Sequence, residues 1–344
     1  MNRDFSFESE VPKKRIPDSV NNTEVRMISD QLPDNEKKTL SAADYAKSVD
    51  EALETKKYQH WETDADREMN RRRIENYDEK KRAVDRASLQ TQRSILKEHG
   101  NRFTYENLSR IQSELGSNKT EIYNDKTFSE EKAPSLWAYN VLGMRDVQDG
   151  KICIKDNDDL DTLRHVATHE TMHDLSFQSA DSSVSSAIDG SGKIVTSTNT
   201  VLVSGLHKIE KKEIITDGMS DIPTIKQFNR YLNEGFTELF TIEQMQARGE
   251  FPSFDSYTEE VGWAMALREK VGNEVVADAY FGGDLDTLAG RVNGMSSVPD
   301  AWAELNKNID AYHYSRDLMY KKAADDIIDG LQEPKKLEKG LARR

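Results

Sequence analysis

The sequence predicts an α+β fold: a small, mostly antiparallel sheet packed on one motif-bearing helix, followed by a helical C-terminal subdomain. Three observations predict it. Short apolar runs bounded by turn residues fill 120–155, where brief strands fit. The stretch Leu163-Arg164-His165-Val166-Ala167-Thr168-His169-Glu170-Thr171-Met172-His173-Asp174-Leu175 has helical rather than alternating spacing. From Ile222 to about residue 322, apolar residues recur at helical intervals between glycine stops.

Composition narrows the function classes. The chain has 344 residues, enough for one large or two modest domains. Charged residues make up 32% and hydrophobic residues 36%, a polarity that calls for solvated helix or disordered tails beside a core. The net charge of -14 leaves no basic excess for phosphates, so no nucleic-acid partner is expected. No apolar run approaches a membrane span, so no membrane partner is expected either. The start, Met1-Asn2-Arg3-Asp4-Phe5-Ser6, lacks a signal-peptide pattern. The expected location is cytoplasmic, or exported without a cleaved signal. The single cysteine, Cys153, excludes an internal disulfide and a Cys-based zinc site. It is expected as a small buried residue in a strand.

Residues 1–40 are polar and aperiodic, and read as a disordered segment. Ser41-Ala42-Ala43-Asp44 has the form of a helix start and opens a charged helical arm over 41–100. Within it, Trp61 to His99 carries a sparse stripe of Met69, Ile74, Tyr77, Val84, Ala87, Leu89, Ile95 and Leu96. Such a helix lies across its own domain or captures a protein partner, and it stops at His99-Gly100.

One domain is expected over 101–322, with the sheet and motif helix in 101–178. Phe103 to Leu115 reads as an amphipathic helix closed by Gly116. Strands follow at Thr120 to Tyr123, Leu136 to Val141 and Lys151 to Lys155, the last two forming a hairpin across Asp149-Gly150. Asp156 to Asp159 caps the motif helix, which runs to about Phe177. Ser, Thr and Gly then predict an insertion loop over 179–221, mobile from Ser179 to Thr200, with short strands at Thr200 to Leu206 and Glu213 to Thr216. A second long helix begins at Ile222, and a helical subdomain follows to 322. Residues 323–344 read as a frayed, charged tail.

His169 to His173 has the form H-E-x-x-H. Residues four apart share a helix face, so His169 and His173 can present two imidazole nitrogens to one ion. Glu170 points sideways, where it can hold a water bound to the metal. This is a zinc-metalloprotease signature. It is short enough to occur by chance in on the order of one chain per hundred of this length, so the surroundings decide. A catalytic zinc takes a third protein ligand and keeps one open position. Asn233-Glu234-Gly235-Phe236-Thr237-Glu238 offers it: Glu234 and Glu238 share a face. One can bind the metal while the other accepts a ligand histidine's remaining N–H. His165 also lies on the His169 face and could replace Glu234, although packing or solvent exposure is the plainer expectation. His207 and His313 could each stabilise an oxyanion, or be ordinary surface or loop histidines. Tyr231 could donate to a tetrahedral intermediate, or simply pack in the core.

H-E-x-x-H followed by a helix with N-E-x-x-[ST]-[DE] resembles the gluzincins, the thermolysin-like and aminopeptidase-like zinc peptidases. Tyr231-Leu232-Asn233-Glu234-Gly235-Phe236 is especially similar to the glutamate helix of the aminopeptidase-like group. The resemblance implies a zincin-like fold and one Zn2+ per chain, held by His169, His173 and Glu234. It implies Glu170 as general base and Glu238 as the acid that buttresses the first histidine. It also implies a sheet-edge strand at Ala138, Tyr139 and Asn140 that binds substrate backbone, and endopeptidase action on a peptide or protein substrate. Three departures stand out. Glu234 follows His173 by 61 positions, longer than the pattern usually allows. Asp174 places a charge where an uncharged residue is usual. The G-x-M-E-N exopeptidase signature is absent, so aminopeptidase activity is not implied. The alternative is a non-catalytic binding or scaffold protein on the same frame, acting through the helix at 61–99.

Overall fold

The computed structural model describes residues 64–114, 120–132, 141–145, 151–188, 190–216, 219–252 and 257–332, with the pieces 47, 59–60 and 117–118. The segment expected at 1–40, the helix start at Ser41, and the strand expected across Ala138, Tyr139 and Asn140 lie outside the described residues. All described elements belong to one unit, residues 40–344. The fold is α+β.

The charged arm forms two helices, α1 (Asp64–Arg73) and α2 (Tyr77–His99). They part at Asn76, which adopts a left-handed conformation with φ 54°. Asparagine tolerates that region better than most residues. The α2 stripe is spent on the chain's own domain: Tyr77, Val84 and Ala87 pack with the sheet and the motif helix, while Leu89, Ile95 and Leu96 join the larger helical core. Tyr77 also donates to the buried carboxylate of Glu121 at 2.6 Å, which anchors the start of α2 to the sheet.

The short piece β1 (Gln59–His60) precedes α1 and pairs in parallel with β2 (Ser117–Asn118), which follows helix α3 (Tyr105–Glu114). The first sheet has the order β3-β5-β4, with β3 at Thr120–Tyr123, β4 at Gly143–Arg145 and β5 at Ile152–Lys155. An antiparallel hairpin is present as β4–β5, with Gly143 opposite Ile154, while the strand expected at Leu136 to Val141 lies almost wholly outside the described residues. β3 pairs β5 in parallel, which makes this sheet mixed rather than mostly antiparallel. A parallel pair needs a crossover, supplied by the helical turn at 125–132 and β4. Cys153 is fully buried in β5, as its type suggested.

The motif helix α4 (Leu160–Leu175) follows β5, as the capping loop predicted. Asp159 accepts from the backbone N–H of Asp161 and Thr162, both at 3.1 Å.

The largest departure is at 179–221. Among the described residues the segment is not the expected mobile loop, and the short strands expected at Thr200 to Leu206 and Glu213 to Thr216 overlap longer ones. The segment is an antiparallel meander of β6 (Gln178–Ile188), β7 (Ile194–Ser204), β8 (His207–Thr216), β9 (Met219–Ser220) and β10 (Thr224–Phe228). Its order is β10-β8-β7-β6, with β9 paired to β8. Serine and threonine disguised it, because neither face of these strands is buried and no polarity alternation develops. Backbone pairing satisfies the amides, and hydroxyl pairs such as Ser186 with Thr196 at 3.0 Å line the strands. Gly205, at φ 59°, makes the two-residue turn into β8. β10 also occupies the start of the expected second helix. Helix α5 begins only at Arg230, after Asn229 turns at φ 61°.

Helices α5 (Arg230–Ala247), α6 (Thr258–Val271), α7 (Asn273–Gly282), α8 (Leu285–Met295), α9 (Ala301–Ser315) and α10 (Leu318–Asp329) build the C-terminal subdomain. Phe236, Trp263, Tyr280, Phe281 and Trp302 are central to its core. The charged tail expected from 323 is helical to Asp329. Ala324, Ile327, Ile328 and Leu331 form a buried stripe among the charges. Trp263 donates its indole N–H to Asp325 at 2.7 Å and fastens α10 to α6.

Candidate metal centre

Helix α4 lies between α2 and α5, and is buried on nearly every side. His165, His169 and His173 form one face of α4, each a turn from the next, and that face meets α5. On α5, Glu234 and Glu238 occupy the facing turns. On its other side α5 lies close to α6, an approach that depends on Gly235, where a Cβ atom would sit 2.3 Å from the Glu260 carbonyl oxygen. Asn233 fixes the other side: its side-chain oxygen accepts from Leu206 N–H at 2.8 Å, while Asn229 donates to Leu206 O at 3.0 Å. The β7–β8 turn is thereby tied to the glutamate helix.

One ligand atom each from His169, His173 and Glu234 lies within 4.8 Å of the others, a group that could hold a metal ion. Glu234 Oε2 is 3.1 Å from His173 Nε2 and 3.4 Å from His169 Nε2. The remaining ring nitrogens are occupied. His169 Nδ1 meets Glu238 Oε2 at 2.7 Å, and His173 Nδ1 lies 3.4 Å from Thr237 Oγ1. Both histidines therefore aim Nε2 at the same point. Of the two carboxylates that shared a face, Glu234 stands among the ligand atoms and Glu238 stands behind His169. Two imidazoles and one carboxylate are a donor set that suits zinc. The three side chains are only 10%, 15% and 17% exposed, so the group is nearly enclosed but reachable.

The charges of the cluster are mutually dependent. Burial pushes Glu234 upward, but the His173 and His169 charges and their hydrogen bonds outweigh it and hold the carboxyl well below its usual range. Burial depresses His169, yet its bonds to Glu234 and Glu238 carry it well above its usual value. Glu238 is held down at about 2, because the bonds from His165 and His169 overcome its burial. Glu170 goes the other way: burial raises its carboxyl despite the two nearby histidines. The Glu170 carboxylate faces β4, where a Cβ on Gly143 would lie 3.0 Å from Oε1.

The strand beside the site is therefore β4. Asp174 holds it there, with Arg145 of β4 donating to Oδ1 at 2.7 Å. Arg110 of α3 donates to the same oxygen at 3.3 Å and to the Asp174 carbonyl at 2.6 Å. The charge of Asp174, a departure in the motif, is thus paired.

Tyr257 had no signal in the sequence. It precedes α6 with φ 56°, and its ring stacks on His169 at 5.9 Å and 13°. The Glu234 charge and then burial push its hydroxyl well up, so it stays protonated. His207 is kept neutral by burial, and its Nε2 has no hydrogen-bond partner among the described residues. His313 and Tyr231 serve packing: their rings stack at 3.5 Å, and His313 Nδ1 bonds Glu260 at 2.8 Å. His165 is neither solvent-exposed nor a member of the ligand group. It is fully buried and bonds Glu238 Oε1 through Nε2 at 2.7 Å.

The chain matches no family model, no curated protein and no solved structure. Among the described residues, no helix is long and apolar enough to cross a membrane.

Proposed function

We propose that this chain is a zinc-dependent metallopeptidase on a zincin-like frame, cleaving bonds within peptides or proteins. One observation carries the reading: His169, His173 and Glu234 converge to within 4.8 Å beside the buried carboxylate of Glu170. A zinc ion held by the three supplies Lewis-acid polarisation and lowers the pKa of a water toward about 7. Glu170 takes the proton of the attacking water and returns it to the leaving amine. Its raised proton affinity suits it to hold that proton in between. The Tyr257 hydroxyl, kept protonated beside Glu234, donates to the oxygen that gains charge. β4, an edge strand in its sheet, offers backbone groups to an extended substrate next to Glu170.

The test pairs metal analysis of the purified full chain with digestion of an unbiased peptide pool, read by mass spectrometry. The expected result is one zinc per chain and internal cleavage. Glu170→Gln should retain the zinc and the fold while cleavage falls about 10²–10⁴-fold. A protein that takes up no zinc, or undiminished cleavage by Glu170→Gln, overturns the reading.

A further inference from the structure

Glu238 is bonded at both oxygens to imidazoles. Oε2 takes His169 Nδ1 and Oε1 takes His165 Nε2, each at 2.7 Å. The His165–Glu238 end of this chain is closed to solvent, with His165 fully buried and Glu238 1% exposed. The two bonds do different work. The bond to His169 fixes the tautomer that leaves Nε2 free for a metal. A carboxylate held at one oxygen alone still turns, because the last torsion of glutamate is broad and weakly restrained. The second bond removes that freedom at a carboxylate that solvent does not reach. Sequence distance hides the pairing, since His165 and Glu238 are 73 positions apart.

We infer that His165 is a positioning residue for the metal centre: it locks the Glu238 carboxylate so that His169 is presented to the ion in one orientation. The inference rests on the metal site proposed above but not on turnover. The extended pattern is then H-x-x-x-H-E-x-x-H, in which the first histidine never touches the ion. Two further observations agree with it. Away from the histidine face, Thr171 donates to Ser88 Oγ of α2 at 2.8 Å and Thr168 accepts from Arg248 at the end of α5 at 3.0 Å, so α4 has anchors that do not involve His165. Glu238 has no cation within ion-pairing distance other than the two imidazoles among the described residues.

The experiment is a competition titration of Zn2+ against a chromophoric chelator, using the full chain and its variants. His165→Leu removes the donor. Its zinc dissociation constant is expected to rise on the order of tenfold, the lower end for loss of a ligand's hydrogen-bond partner. His165→Gln places an amide N–H near the Nε2 position and should bind zinc within about threefold of the native chain, whereas His165→Asn places it near Nδ1 and should not. Glu238→Gln combined with His165→Leu should lose little more than Glu238→Gln alone, because the two act in series. A folded His165→Leu protein with native zinc affinity overturns the inference. If His165→Leu fails to fold, equal affinities for the Gln and Asn variants overturn it instead. A native chain that binds no zinc fails the proposed function. A native chain that binds zinc with His165→Leu unchanged fails only this inference.

Discussion

At the scale of single residues, one tyrosine and one aspartate side chain separate chemistry from stability. Tyr257 stacks on His169 with its hydroxyl held protonated by the charge of Glu234 and by burial. Tyr257→Phe keeps the stack and removes only the hydroxyl. If that hydroxyl stabilises the developing oxyanion, kcat falls about 10²–10³-fold with zinc content and KM unchanged. An unaltered kcat removes Tyr257 from the mechanism. Asp310 of α9 acts on stability instead. Burial raises its carboxyl to about 6, against an ordinary 3.8, although it accepts from Tyr231 N–H at 3.4 Å. The folded state thus holds the proton more tightly than the unfolded one between these values. The contribution of Asp310 to stability is fullest below pH 3.8 and is lost as pH rises through about 6. Asp310→Asn keeps the acceptor and loses the charge. It should stabilise the protein by about 1 kcal/mol at pH 8, after discounting for solvent screening, and leave it unchanged at pH 4. Melting curves at the two pH values read the difference.

At the scale of elements, the metal centre depends on how closely α4, α5 and α6 approach. Gly235 faces the Glu260 carbonyl so tightly that a methyl group would sit 2.3 Å from backbone oxygen. Gly235→Ala forces α5 from α6, and α5 carries Glu234. The expected cost is about 1–3 kcal/mol of stability, with zinc affinity lowered in the same variant. Denaturant melts and zinc titration measure both, and a variant with native values in both contradicts the packing argument. The same helices explain what was legible beforehand. His169 with His173, and Glu234 with Glu238, are each spaced four apart within one short segment, so each pair is legible in the sequence without the fold. The glutamate helix itself was placed correctly, but its start was not, because Thr224 to Phe228 extends as β10 before Asn229 turns. Tyr257 and the partner of His165 were invisible for another reason. Each reaches the site across tertiary distance, one from a left-handed position before α6 and one across the α4–α5 interface.

At the scale of the whole molecule, the chain divides its labour between a helical body and a sheet that contributes almost nothing to the core. Of the described residues from β6 to β10 and their turns, only Leu206 joins the main hydrophobic cluster. The far end of the β6–β7 hairpin is open to solvent, with Val184 66%, Ile188 72% and Ile194 60% exposed. This also explains why the segment read as a loop: a strand exposed on both faces carries no buried pattern for the sequence to record. Stability and function should therefore separate on truncation. Ser182 pairs with Thr200 across the hairpin, so residues 183–199 can be replaced by Asn-Gly with the remaining register intact. The shortened protein should melt within a few degrees of the native chain and bind zinc equally well, because Gly205, Leu206, Asn229 and Asn233 are untouched. Phe236→Ala in the body should instead cost about 3–5 kcal/mol. If the truncation melts as far below native as Phe236→Ala does, the sheet is structural after all. If it stays stable and metal-bound while the set of cleaved peptides changes, the exposed sheet is where substrate is chosen.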